Sequence, residues 1–300
     1  MSALAALRFK LMFAWVYLMR VLLPYAAGNN LAAATIKLLH PRLVKQRPAF
    51  LCGLNNVLNN SKKAEQALQR HKRLVGVTRF QGSYYAQADM SWITRCQVEV
   101  EGAEYIHQFH AQGKGVLVMT YHHHFNMLFC NLLAQQVKLP TTTISMDASK
   151  NASYQKFGNR IDRIYGHAEK LLSGGDIILV KPGAAVRPIL KAFENNHLVI
   201  TANDFPDVFS DKNRKNFPFL NTELSCPTGT VKLAVKKQIP IVAGYVNWNG
   251  GDRFQLVIKS VSNGEEDLKV KEAMARYLSV LEEFTGKDPG LWEGWKWLAD

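Results

Sequence analysis

From about residue 100 onward the chain alternates short apolar runs with amphipathic stretches, and that alternation confines it to a layered α/β architecture. Six runs read as strands: Gly115–Tyr121 (GVLVMTY), Thr141–Met146, Asp176–Val180, His197–Ala202, Ile239–Val246 and Phe254–Val261. Between the first two, Met127, Leu128, Leu132 and Leu133 line one side of a helix that ends near Pro140. A second helix follows Pro182-Gly183 and runs through Ala192. A third spans Thr228–Lys237, with Thr228 as candidate N-cap after Pro227. The last runs from about Glu265 to Phe284, with Val270, Met274, Tyr277, Leu278, Leu281 and Phe284 at helical spacing. Strands without a polar face belong in a mainly parallel central sheet flanked by helices. Such sheets bind ligands beyond the carboxyl ends of their strands, so the residues just after each strand are where chemistry is expected.

The first quarter of the chain has a different character. Residues 1–80 carry thirteen Lys/Arg and a single acid, Glu65, so twelve of the thirteen net positive charges of the 300-residue chain fall there. A one-sided field of this kind suits an anionic partner: a membrane surface, a phosphorylated ligand, an acidic protein or nucleic acid. Nucleic acid is disfavoured, because no recognised binding motif is present and no aromatics interleave with the basic residues 62–79. Residues 30–80 read as helices broken at Pro41 and Pro48, with Asn60-Ser61 capping a helix that begins near Lys62. Leu11–Met19 is an unbroken apolar run that Arg20 interrupts and Val21–Ala27 resume, at the short end of the ~17–25 residues that span a bilayer. A secretory signal, a buried core helix and an uncleaved membrane-attached helix, spanning or interfacial, all remain open. Arg20 and the basic sequence after the run argue against export. The expected organisation is an N-terminal membrane-associated helix over residues 1–30, followed by one α/β domain over residues 31–300. The positive-inside bias would keep residues 37–79 on the cytoplasmic side.

Several chemistries have no support. There is no GxGxxG, no GxxxxGK[ST] and no GxSxG, which removes dinucleotide binding, P-loop chemistry and the α/β-hydrolase nucleophile. Cys52, Cys96, Cys130 and Cys226 are widely separated and form no CxxC, so a disulfide scaffold or cysteine zinc site is not expected. Cys130, on an apolar helix, reads as a structural thiol.

The first strand leads directly into His122-His123-His124-Phe125-Asn126. A neutral imidazole at a strand end can accept a proton from an attacking hydroxyl at neutral pH. Metal ligation is the weaker reading: adjacent side chains diverge, and no Cys or carboxylate lies at ligand spacing. Backbone N–H groups at the helix start after His124 could stabilise an oxyanion. The fourth strand ends in Asn203-Asp204-Phe205-Pro206-Asp207, where an acid could orient a base or contact substrate, or merely cap a turn. Arg160 and Arg163 could contact phosphate.

Taken in order, several segments resemble the lipid A late acyltransferases, a branch of the lysophospholipid acyltransferase superfamily. They are Val100–Glu104; the glycine-rich lead, strand and histidine of Gly113–His122; Phe157–Arg160; the strand ending at Asp204; Phe217–Phe219; Thr228–Ala234 with Ile239–Val242; and the aromatic tail Pro289–Trp297. The resemblance covers roughly residues 5–297. It implies transfer of an acyl group from a phosphopantetheinyl carrier-protein thioester, with no protein-bound cofactor, to a hydroxyl of lipid A at the cytoplasmic face of the bacterial inner membrane. It also implies His122 as general base, with His123, His124 and Asp204 as candidates to orient it, and Arg160 and Asn126 as substrate contacts.

The sequence departs from the family at the centre of that mechanism. The family pairs its histidine with an Asp or Glu five residues later; here those positions hold Met127, Leu128 and Phe129 for the three histidines. Three alternatives stand: Asn126, a neighbouring histidine or an acid from elsewhere such as Asp204 or Asp147 orients the base; the acyl donor is more reactive; or the chemistry is lost and the chain is a membrane-bound binding or scaffold protein. A similar departure is expected in the glycyltransferases that resemble this family, which move an aminoacyl group from a carrier protein to lipid A and mask its negative charge.

Overall fold

The computed structural model describes residues 3–39, 41–87, 91–146, 159–180, 186–204, 214–264 and 267–298. The chain divides into two compact units. One comprises residues 1–97, 248–254 and 285–300; the other comprises residues 98–247 and 255–284.

The first unit is helical: α1 (Ala3–Leu22), α2 (Tyr25–Leu39), α3 (Pro41–Leu58) and α4 (Ser61–Ala86). The apolar N-terminal stretch is two helices rather than one, because α1 ends at Leu22 and α2 begins at Tyr25, just past Pro24. Proline lacks the N–H that would continue the first helix but fits the start of the second. Among the described residues no helix is long and apolar enough to cross a membrane. Pro48 does not break the chain as expected; it lies inside α3. Asn60 caps α4, its side chain accepting from the Lys63 N–H at 3.0 Å. Glycine permits close approaches within this unit: a Cβ at Gly28 would strike the Phe80 ring of α4, and one at Gly53 would strike the Trp295 carbonyl oxygen. The buried Trp292 and Trp295 of the aromatic tail belong to this unit. Arg70 Nε donates to Asp288 at 2.8 Å and its Nη2 to the Trp248 carbonyl at 2.8 Å.

The second unit is built on the sheet. Its elements are β1 (Gln97–Glu101), α5 (Ala103–His110), β2 (Val116–Thr120), α6 (Asn126–Val137), β3 (Thr141–Met146), α7 (Asn159–Glu169), β4 (Ile177–Val180), α8 (Val186–Glu194) and β5 (Leu198–Ala202). They continue with β6 (Arg214–Phe219), β7 (Thr222–Pro227), α9 (Gly229–Lys236), β8 (Ile241–Trp248), β9 (Arg253–Ser262) and α10 (Val270–Lys287). Seven strands form one sheet in the order β1-β9-β8-β2-β5-β3-β4. β2 runs parallel to both β5 and β8, and β3 runs parallel to β4 and β5. All five residues of β2 are buried, as expected for a central strand covered on both faces. Separately, β6 and β7 form an antiparallel hairpin with Phe217 opposite Leu224.

Several elements were not expected: the helices α5 and α7, the strand β1 and the β6–β7 hairpin. β1 alternates exposed and half-buried residues (QVEVE) at the sheet edge, so it lacks the apolar run that marks its neighbours. The β6–β7 hairpin contains Pro218 in β6, which disfavours a central strand but is tolerated in an isolated pair. Thr228 occupies the N-cap of α9, although its side chain makes no capping hydrogen bond. Pro182-Gly183 and Glu265, read as helix-start signals, lie outside the described residues.

Candidate functional site

The strand order brings together residues that are far apart in sequence. β2 and β5 are parallel neighbours with Thr120 opposite Ala202, so the residues that follow, Tyr121-His122 and Asn203-Asp204, leave the carboxyl end of the sheet side by side. There the Asp204 carboxylate, wholly buried, lies 2.7 Å (Oδ1) from Nδ1 of His122, whose side chain is about a third exposed. The backbone N–H of His122 also donates to both carboxylate oxygens, at 3.0 and 2.8 Å. An ionised carboxylate only accepts. In the neutral ring Nδ1 therefore carries the proton, and Nε2 keeps its lone pair.

His123 is held differently. It is 2 % exposed. Its Nδ1 accepts from the Phe125 N–H at 3.0 Å, and its Nε2 faces the Thr120 hydroxyl at 3.4 Å. Burial pushes its pKa down to about 3, against the opposing pull of Asp204. The ring is therefore neutral at pH 7 and locked into the turn by both nitrogens. His124 is also buried. Asn126 opens α6, and its Oδ1 accepts from the His123 N–H at 3.1 Å, closing the turn that carries the three histidines. The N–H groups expected to serve an oxyanion are partly committed: that of Phe125 to His123 Nδ1, and that of Asn126 to the His123 carbonyl at 3.3 Å.

The strand end beneath the pair is clamped by aromatic residues from α10. Tyr121 and Tyr277 stack at 4.8 Å. The Tyr121 hydroxyl donates to the Tyr277 carbonyl at 2.9 Å, and the Tyr277 hydroxyl donates to the Thr120 carbonyl at 2.7 Å. Burial raises both phenol pKa values well above the ordinary range, so these hydroxyls keep their protons and act only as hydrogen-bonding groups. Phe284 packs against Tyr121 at 5.8 Å and edge-on to His123 at 6.0 Å. Sequence reading missed this clamp; the only trace of it was Tyr277 and Phe284 on the helical stripe of the last helix.

Arg160 lies in α7, but its side chain, like that of Arg163, falls outside the described residues, as do Asp147, Asp207 and Phe157-Gly158. Cys130 has its thiol pKa raised to about 12 by burial, which leaves it a poor nucleophile. Residues 6–300 match the family described as bacterial lipid A biosynthesis acyltransferase, and the chain belongs to that family. No curated protein matches it significantly.

Proposed function

We propose that this protein transfers an acyl or aminoacyl group, a glycyl group included, from a phosphopantetheinyl carrier-protein thioester to a hydroxyl of lipid A. The reaction takes place at the cytoplasmic face of the bacterial inner membrane, to which residues 1–30 attach the body formed by residues 31–300. The membership of the family supports acyl transfer to lipid A. The observation that carries the mechanism is the His122–Asp204 pair, 2.7 Å apart with a buried acid and a part-exposed base.

In this reading Nε2 of His122 removes the proton from the lipid hydroxyl as its oxygen attacks the thioester carbonyl. A C–O bond forms and the C–S bond breaks. The imidazolium returns the proton to the departing thiolate. Asp204 keeps Nδ1–H directed at itself and stabilises the imidazolium as it forms. A thiol is a far better leaving group than an amine, so the protein need supply little beyond the base and an oriented acceptor. His123, His124 and the Asn126 turn hold the loop in place, Asn126 offers its amide N–H to substrate, and Arg160 contacts a lipid phosphate. The aminoacyl branch is favoured by Met127, Leu128 and Phe129 at the positions where the family carries its acid.

The test is mass spectrometry of lipid A from cells supplied with a cognate carrier protein. Wild type should add a fatty-acyl mass or a small aminoacyl mass, and His122→Ala should add neither. No mass change with wild type would contradict the proposal and favour a non-catalytic, membrane-bound binding protein.

A further inference from the structure

The two faces of α1 have opposite fates. Met12, Val16 and Met19 are at most 2 % exposed within the helical unit. Trp15 Nε1 donates to the Thr35 hydroxyl at 2.8 Å, and the Arg20 guanidinium sits 5.1 Å from the centroid of the Tyr84 ring. Leu7, Leu11, Tyr17, Leu18, Val21 and Leu22 are instead 46–66 % exposed. Among the described residues these are six of the nine exposed large hydrophobic side chains. At 3.6 residues per turn they fall within an arc of about 140°, centred roughly opposite the buried side. Scattered surface leucines need no explanation, but a contiguous apolar face does.

We infer that α1 lies in the plane of an anionic lipid surface, its outer face buried among the acyl chains and its inner face still packed on its own unit. This rests on the proposed membrane attachment and specifies its mode. Charge selects the occupant. Lys10 lies on the rim of the exposed arc, Arg8 lies beside it, and no carboxylate side chain occurs before Glu65. A second copy pairing through this face would bring like charges together with no nearby acid to neutralise them. Lipid phosphates neutralise them directly. A spanning orientation would require Met12, Val16, Met19 and the Trp15–Thr35 bond to leave their packing. It would also carry Arg20 toward the hydrocarbon, in a helix that stops at Leu22. An interfacial helix needs only one apolar face with basic flanks.

The test uses the full chain, with vesicles of phosphatidylglycerol and phosphatidylcholine against phosphatidylcholine alone, both free of lipid A. Flotation should be about tenfold greater with the anionic vesicles. The triple variant Leu11→Glu/Leu18→Glu/Leu22→Glu, whose positions are exposed, should lose that binding while keeping the wild-type melting temperature. A Lys10→Glu variant, which leaves the apolar face intact, should weaken binding to anionic vesicles only. In sealed inner-membrane vesicles, epitopes at the two chain ends should be accessible from the same side. Epitopes on opposite sides would overturn the inference in favour of a spanning helix. A lipid-free dimer abolished by the triple variant would overturn it in favour of a second copy. Unchanged flotation of the triple variant would show that α1 is not the contact. None of these readouts involves group transfer, so this inference and the proposed activity fail separately.

Discussion

The sheet carries a histidine, a hydroxyl or backbone donor, and an aspartate at each of its ends, and at one end alone of these two the carboxylate contacts the imidazole directly. At the carboxyl end, Asp204 is buried and contacts His122 Nδ1 directly at 2.7 Å, leaving Nε2 as the basic atom. At the amino end, the Thr142 hydroxyl sits between Asp176 and His197, 2.7 Å from Asp176 Oδ1 and 2.9 Å from His197 Nδ1. A hydroxyl has one proton, and the carboxylate takes it. The His197 contact must then be an N–H donated to the threonine oxygen, so this histidine cannot act as a base toward that hydroxyl. The same residue types in a different order make a bracket that pins β3, β4 and β5 together. What distinguishes the two ends is the direction of donation and which partner is buried.

The largest expected effect sharpens this contrast at its active end. His122→Ala should lower transfer by about 10³-fold or more, in the upper part of the range for loss of a general base, measured as initial rate with a carrier-protein thioester donor. Asp204→Asn should cost about 10²-fold, because an amide oxygen can still accept from the backbone N–H but stabilises no imidazolium. Comparable rates for Asp204→Asn and wild type would erase the distinction between the two ends.

A smaller effect concerns acid stability. The His123 ring is buried neutral with a pKa near 3, whereas the unfolded chain protonates it below ~6.5. The native state therefore binds fewer protons between these values. Its contribution is complete above ~6.5 and is lost as pH falls toward 3. The loss should reach about 2 kcal/mol by pH 5. His123→Gln should flatten the dependence of melting temperature on pH between 7 and 5; an unchanged slope would mean that the ring is solvated and titrates normally.

The smallest effect lies at the inert end. Thr142→Val should leave transfer within about threefold of wild type and cost roughly 1–3 kcal/mol of stability from unpaired polar partners, read by denaturant unfolding. A loss of transfer matching that of Asp204→Asn would move the chemistry to the other end of the sheet.

Much of the fold was legible because its strands are apolar on both faces. β2, β4, β5 and β8 stand out as apolar runs of the kind a covered sheet holds, and their order along the chain implied parallel pairing. β1 was not legible, because an edge strand with alternating polar residues resembles a loop. The β6–β7 hairpin was hidden by Pro218, and Pro48 misled in the opposite direction by continuing a helix. At the site, the sequence placed His122 after a strand and supplied Asp204 as one acid among several. It could not choose between Asp204 and Asp147. That choice depends on β5 inserting beside β2 ahead of β3, and pairing of this kind is a long-range packing outcome with no local signature. The assignment of both His123 nitrogens to the turn was equally invisible, since three consecutive histidines look alike until burial separates them.

The central claim is that the acid absent from the helix after His122 is supplied by the adjacent strand. Its most direct test is to measure transfer by Asp204→Asn and Asp176→Asn side by side, each with its melting temperature. Asp204→Asn should stay folded and lose about 10²-fold in rate, and Asp176→Asn should keep a near wild-type rate. Equal rates in both, close to wild type, would contradict the claim.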